Sequence, residues 1–139
     1  MLDEFEYQRW MRSARLTLKS ARKDLDGGEY SWACFKAHQA AEKAIKSLLW
    51  GTGSPSFGHS LPILLQRLVE LGLEVPERIR ENAVRLSKYY TTTRYPDVWS
   101  EGIPEDYYVR GEAEEAISYA EDVLRWVERT WKSLEKGSS

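Results

Sequence analysis

Apolar residues recur every three or four positions along most of this chain, the spacing that gathers side chains on one face of an α-helix. The first stripe runs through Tyr7, Met11, Ala14, Leu18, Ala21 and Leu25 and is closed by Asp26-Gly27-Gly28, where glycine suits a helix C-terminus. A second stripe, Cys34, Ala37, Ala41, Ala44, Ile45 and Leu48, is rich in alanine. Small side chains let a neighbouring helix approach closely, so the first two helices are expected to form a tight antiparallel pair. Gln39, Glu42, Lys43 and Lys46 fall mostly on the wetter side of the second helix, with Glu42 and Lys46 at the i,i+4 spacing of an ion pair.

The composition of Gly51 to Gly58, "GTGSPSFG", marks a loop. Ser60 then reads as an N-cap, with Pro62 in the first turn and Leu61, Leu64, Leu65, Leu68 and Leu71 as the buried face of a shorter third helix. Gly72 ends it. Pro76 and Glu77 open a fourth helix that turns Ile79, Ala83, Leu86 and Tyr90 inward and ends near Thr93, because Pro96 disfavours a helical Tyr95. The segment to about Tyr108 reads as irregular. The last stripe is the clearest: Ala113, Ala116, Ile117, Ala120, Val123, Leu124, Val127 and Trp131, with Glu112, Glu114 and Glu115 at its positive end and Lys132 and Lys136 at its negative end. No strand alternation or internal repeat competes with this pattern. The expected fold is all-α: an antiparallel up-and-down four-helix bundle with an additional short helix.

A length of 139 residues suits one domain, spanning 1–139. Hydrophobic residues at 42% and charged residues at 30% place it among ordinary globular chains. The net charge of -2 supplies no global basic field, so any contact with nucleic acid must come from a local patch. No apolar run is long enough for a membrane span and the N-terminus lacks a signal peptide's apolar core, so a cytoplasmic protein is expected. Cys34 is the only cysteine, which excludes an intrachain disulfide. Six Trp, eight Tyr and three Phe are hard to bury completely in one small domain, and self-association is expected from them.

Candidate chemistry is sparse. Cys34, His38 and Glu42 share a helical face at metal-ligand spacing, but with alanines around them a buried thiol beside a packed imidazole is the better reading, and no metal is expected. His59, just before the third helix, can hydrogen-bond backbone or a neighbouring helix, whereas a general base would need a partner in reach. The segment Tyr89 to Trp99, "YYTTTRYPDVW", is better supplied. Arg94 offers a planar fork for phosphate or carboxylate, and Asp97 can accept from that fork or from the turn after Pro96. Tyr89, Tyr90, Tyr95 and Trp99 can stack on a base, with Arg85 and Lys88 in the preceding turns. The alternative is an Arg–Asp turn clamp with the tyrosines packed on a neighbouring helix or subunit.

Four segments together, "YSWACFKAHQAAEKAIKSLLW" (Tyr30 to Trp50), "GHSLPILLQRL" (Gly58 to Leu68), "YYTTTRYPD" (Tyr89 to Asp97) and "EEAISYAEDVLRWV" (Glu114 to Val127), resemble the HEPN domain of small stand-alone prokaryotic proteins. The resemblance spans nearly the whole chain in the expected order. It implies an up-and-down helical bundle that dimerises, often works with a minimal nucleotidyltransferase as a toxin-antitoxin-like pair, and binds a nucleotide or RNA. Ribonuclease members of the family follow their arginine, a few residues on, with a histidine. Arg94 matches that arginine, but Trp99, Ser100 and Glu101 occupy the histidine positions. The resemblance therefore implies a non-catalytic module without cofactor, binding through Arg94, Asp97, Tyr95, Tyr90, Tyr89, Lys88 and His59 at a ligand or dimer cleft. Two alternatives stand beside it: a metal-independent endoribonuclease with a rearranged base, which would bring His59 to Arg94, and a purely structural dimerisation partner.

Overall fold

The computed structural model describes residues 1–138, which form five α-helices and, among the described residues, no strand. Three helices are long: α1 (Glu4–Asp26), α2 (Tyr30–Gly51) and α5 (Arg110–Ser138). Two are short: α3 (Leu61–Glu70) and α4 (Glu77–Ser87). Local sequence accounts for their ends. Asp3 accepts a hydrogen bond from the Glu6 amide (3.0 Å) at the start of α1, and Ser60 caps α3 as predicted, accepting from the Ile63 amide (3.4 Å). Gly28 follows α1 and Gly72 follows α3, both in the left-handed region.

One cluster of buried side chains draws on all five helices, and the predicted stripes supply it. α1 packs along α2, α5 covers another flank, and α3 and α4 close over the remainder. Packing is close where the C-terminal end of α2 meets α5 and α1. A Cβ on Gly51 would lie 2.6 Å from the Trp131 ring and 3.0 Å from Tyr7, so only glycine fits. That space lets Tyr7 and Trp131 stack at 4.1 Å and 3°. Among the described residues no helix is long and apolar enough to cross a membrane.

Three details differ from the sequence reading. α2 buries 15 of its 22 residues, including Glu42 and Lys46, because neighbours surround it on most sides; its expected wet face is largely interior. Leu71 is 46% exposed, since it is the residue on which α3 ends rather than part of its inner face. Regular α4 stops at Ser87, short of Thr93, and Tyr90 is half-buried rather than part of the core.

Candidate functional site

After Ser87 the chain tightens instead of unwinding. Amides bond three residues back, Tyr89 to Leu86, Tyr90 to Ser87 and Arg94 to Thr91, which is the pattern of a 3-10 turn. The carbonyls of residues 88, 89 and 90 would in an α-helix accept from the amides of 92, 93 and 94. Here the side chains of those same residues take that place: Thr92 Oγ1 donates to Lys88 O (2.6 Å), Thr93 Oγ1 to Tyr89 O (2.8 Å), and Arg94 Nε and Nη2 to Tyr90 O (3.0 and 2.5 Å). This is why a Thr-Thr-Arg run suits the segment, since each side chain returns to a carbonyl that the ending helix leaves open. Trp99 Nε1 donates to Thr92 O (2.9 Å) and Tyr108 OH to Thr92 Oγ1 (2.6 Å), which ties the irregular segment back onto the turn.

The Arg94 guanidinium lies over three rings, 4.1 Å from the Phe35 centroid and 4.9 Å from those of Tyr90 and Tyr95. Such cation–π contacts hold its plane while Nη1 stays free of any hydrogen bond within the described residues. Asp97 makes no ion pair with it. Asp97 sits exposed in a 3-10 turn, Pro96–Val98, and the intramolecular Arg94–Asp97 clamp is absent: the Tyr90 carbonyl holds the fork instead. Trp99, the first of the positions where the sequence resemblance leads one to expect a histidine, stacks on Tyr107 at 4.0 Å and 7°. It is part of the scaffold.

An imidazole from elsewhere in the chain shares the Tyr90 ring with Arg94. His59 stacks on Tyr90 (4.5 Å, 20°), so His59 and Arg94 pack against the same ring. His59 Nδ1 lies 3.0 Å from Glu42 Oε1, and Lys46 Nζ donates to Glu42 Oε2 at 3.0 Å. Because a carboxylate only accepts, Nδ1 donates this bond, and Nε2 makes no hydrogen bond among the described residues. The Glu42 and Lys46 side chains are 6% and 7% exposed, whereas that of His59 is 51% exposed, so a buried ion pair holds a surface imidazole. His38 supports this from below. Burial pulls its imidazole down to about 4, which keeps it neutral, and its Nε2 therefore donates to the His59 carbonyl (3.2 Å). Its Nδ1 is buried without a partner.

Of the seven residues expected at the site, the structure gathers His59, Tyr90, Arg94 and Tyr95. Tyr89 points elsewhere, edge-on to Tyr108 (6.0 Å), with its hydroxyl pushed up by burial. Lys88 is exposed and, like Asp97, forms no side-chain bond to the cluster. Sequence reasoning missed that Glu42 holds His59, and with it the contacts made by Lys46, His38 and Phe35. The available signal was Glu42 and Lys46 sitting among the alanines at 40, 41 and 44, a face too apolar for a solvated pair. Among the described residues no group of three His, Cys, Asp or Glu is arranged to hold a metal. Cys34 is buried, which pushes its thiol up to about 12.

Comparison with known proteins adds to this geometry. A family model described as "HEPN domain" matches residues 7–130. Similar solved structures include TT1696 from Thermus thermophilus, 44% identical with a TM-score of 0.86, covering 88% of this chain and 96% of that one. ST0689, described as an archaeal HEPN homologue, is 40% identical with a TM-score of 0.76 over 89% and 96% of the two chains. An HEPN domain protein of Thermotoga maritima, tm0613, is 35% identical with a TM-score of 0.73 over 89% and 98%. Human sacsin is 28% identical over 96 residues, which are 67% of this chain but only 2% of sacsin's length.

Proposed function

The chain belongs to the HEPN domain family, and from that premise we propose that it is a non-catalytic binding module which takes a nucleotide or RNA phosphate between Arg94 and His59. One observation carries the reading: a guanidinium with an unused N–H edge and a half-exposed imidazole with one unbonded nitrogen are held on the same tyrosine by groups that are themselves anchored. Arg94 supplies a fixed charge and donors for a phosphate oxygen. His59 donates from Nε2 when protonated. Tyr95, 48% exposed, and Trp32, 37% exposed, offer ring faces for a base, through stacking that tolerates any base. The module acts as a homodimer with a minimal nucleotidyltransferase as its partner, in a toxin-antitoxin-like pair; the family supplies this part of the proposal, and the exposed Trp32, Tyr95 and Val98 beside the site suit a covered surface.

Titration calorimetry with ATP, GTP and a short single-stranded RNA tests it. Binding to the wild type, weakened at least about tenfold by Arg94→Ala through loss of a charge-assisted contact, is the expected result. No heat and no shift in melting temperature with any of the three would overturn it and leave Arg94 as a turn staple, the structural reading.

A second reading, metal-independent RNA cleavage, is favoured by the Glu42–His59 pair, which supplies the oriented imidazole absent at 99–101. In it, His59 Nε2 takes the 2'-hydroxyl proton while O2' bonds to phosphorus and the P–O5' bond breaks, with water protonating O5'. Incubation of structured RNA in EDTA decides it: cleavage lost in His59→Ala supports this reading, and intact RNA ends it.

A further inference from the structure

Away from the Arg94 site, at the opposite end of α4, two arginines hold one carboxylate and a third arginine lines the same cavity. Arg78 Nη2 bonds to Asp122 Oδ2 at 2.6 Å and Arg125 Nη2 to Asp122 Oδ1 at 2.5 Å. Arg129 lies one turn beyond Arg125 on α5 and has no ion-pair partner among the described residues. These four side chains, with Pro76, Ile79 and Trp126, line a surface cavity of about 230 Å³. Burial pushes the Asp122 carboxyl up, but the bonds from Arg125 and Arg78 outweigh it and hold the group below the usual carboxylate range. It is therefore ionised, and the cavity still carries an excess of two positive charges.

The neighbouring carboxylates Glu121 and Glu128 are engaged by Arg22 and Arg15 of α1. Arg125 and Arg129 repel each other at i,i+4, an arrangement that is unfavourable unless an anion sits between them. The floor is apolar, with Ile79 4% and Trp126 5% exposed, which strengthens any charge interaction above it. The guanidinium of Arg78 is fixed by one edge and presents the other to solvent, 74% exposed. The volume lies below the roughly 300–1,000 Å³ of pockets that enclose whole small molecules, so it suits the anionic end of a ligand and not its entire body.

We infer that the cavity between α4 and α5 is a second anion site, in which Arg78, Arg125 and Arg129 bind a phosphate group. The same chemistry is offered by the terminal phosphate of a nucleotide or by the backbone of a nucleic acid. The site is independent of the Arg94 reading, and its test is performed in an Arg94→Ala background to keep the two apart.

Pyrophosphate is titrated calorimetrically into Arg94→Ala and into the same protein carrying Arg78→Gln and Arg129→Gln, with thermal melts to verify folding. The expected result is that Arg94→Ala still binds pyrophosphate and that the added pair weakens binding at least about tenfold, because two charge-assisted contacts are lost. Arg9→Gln with Arg12→Gln, on α1, serves as the charge-matched control and should leave binding unchanged. Loss of all binding in Arg94→Ala alone, or equal weakening by the control pair, overturns the inference. Two single-stranded oligonucleotides, with and without a 5'-phosphate, then separate the sources: preference for the phosphorylated one assigns terminal phosphates, and equal binding sensitive to Arg78 and Arg129 assigns the backbone.

Discussion

Glu42→Gln removes one negative charge from the bonded chain Lys46–Glu42–His59 while keeping a carbonyl oxygen that can still accept from His59. The consequence follows from burial. Both members of the ion pair lie within the bundle, with side chains 6% and 7% exposed and 3.0 Å between Nζ and Oε2. Without the carboxylate the Lys46 ammonium keeps only the Trp10 ring, 5.8 Å from its centroid, as a compensating contact. Breaking a buried pair from one side typically costs about 3–5 kcal/mol, because the remaining charge stays desolvated. With an amide oxygen still available, about 3 kcal/mol is expected, roughly a 10 °C fall in melting temperature for a chain of this size. Urea denaturation of the single variant and of Glu42→Gln/Lys46→Met measures it. The double variant should recover most of the loss, since replacing both charges by neutral groups removes the desolvation penalty along with the attraction. A loss below about 1 kcal/mol in the single variant, or no recovery in the double, refutes the reasoning and means that water reaches Lys46.

Gly51→Ala should destabilise the bundle by about 1–3 kcal/mol, because the new methyl meets the Trp131 ring at 2.6 Å; denaturant melts measure it, and an unchanged midpoint contradicts the packing. The buried His38 has its pKa lowered to about 4, against about 6.5 when unfolded, so its contribution is present in full above the unfolded value and is lost as pH falls through the folded one. Between pH 6.5 and 4 stability should therefore drop by about 3 kcal/mol from this group, and the slope should flatten in His38→Gln; parallel slopes in the two proteins would argue against it. The Cys34 thiol, buried and pushed up to about 12, should resist a thiol reagent such as dithionitrobenzoate in the native state and react once urea unfolds the chain; rapid native labelling contradicts that burial.

Much of the fold is legible in the chain itself. The stripes from Tyr7 to Leu25 and from Ala113 to Trp131 mark α1 and α5, Ser60 marks the start of α3, and a helix end before Pro96 follows from backbone sterics. These are local relations, in which the residue and its partner lie within one or two turns. Even the Thr-Thr-Arg run is of this kind, since each side chain bonds the carbonyl four residues back, although its meaning shows only when those bonds are drawn.

The site is another matter. Periodicity sorts a helix into a dry face and a wet one, and for α2 it assigned Glu42 and Lys46 to the wet one; packing by the four other helices removed that distinction. The place of Arg94 in the turn is local, but the pairing of Tyr90 with His59, and of His59 with Glu42, joins three elements that are remote in sequence. Sequence thus determined which residue types were available and where most of the helices begin and end, the C-terminus of α4 excepted, because hydrogen bonding and backbone conformation act over short range. Tertiary structure decided that a buried carboxylate would orient a surface imidazole on the tyrosine ring that Arg94 also contacts, because burial depends on what packs from outside the helix.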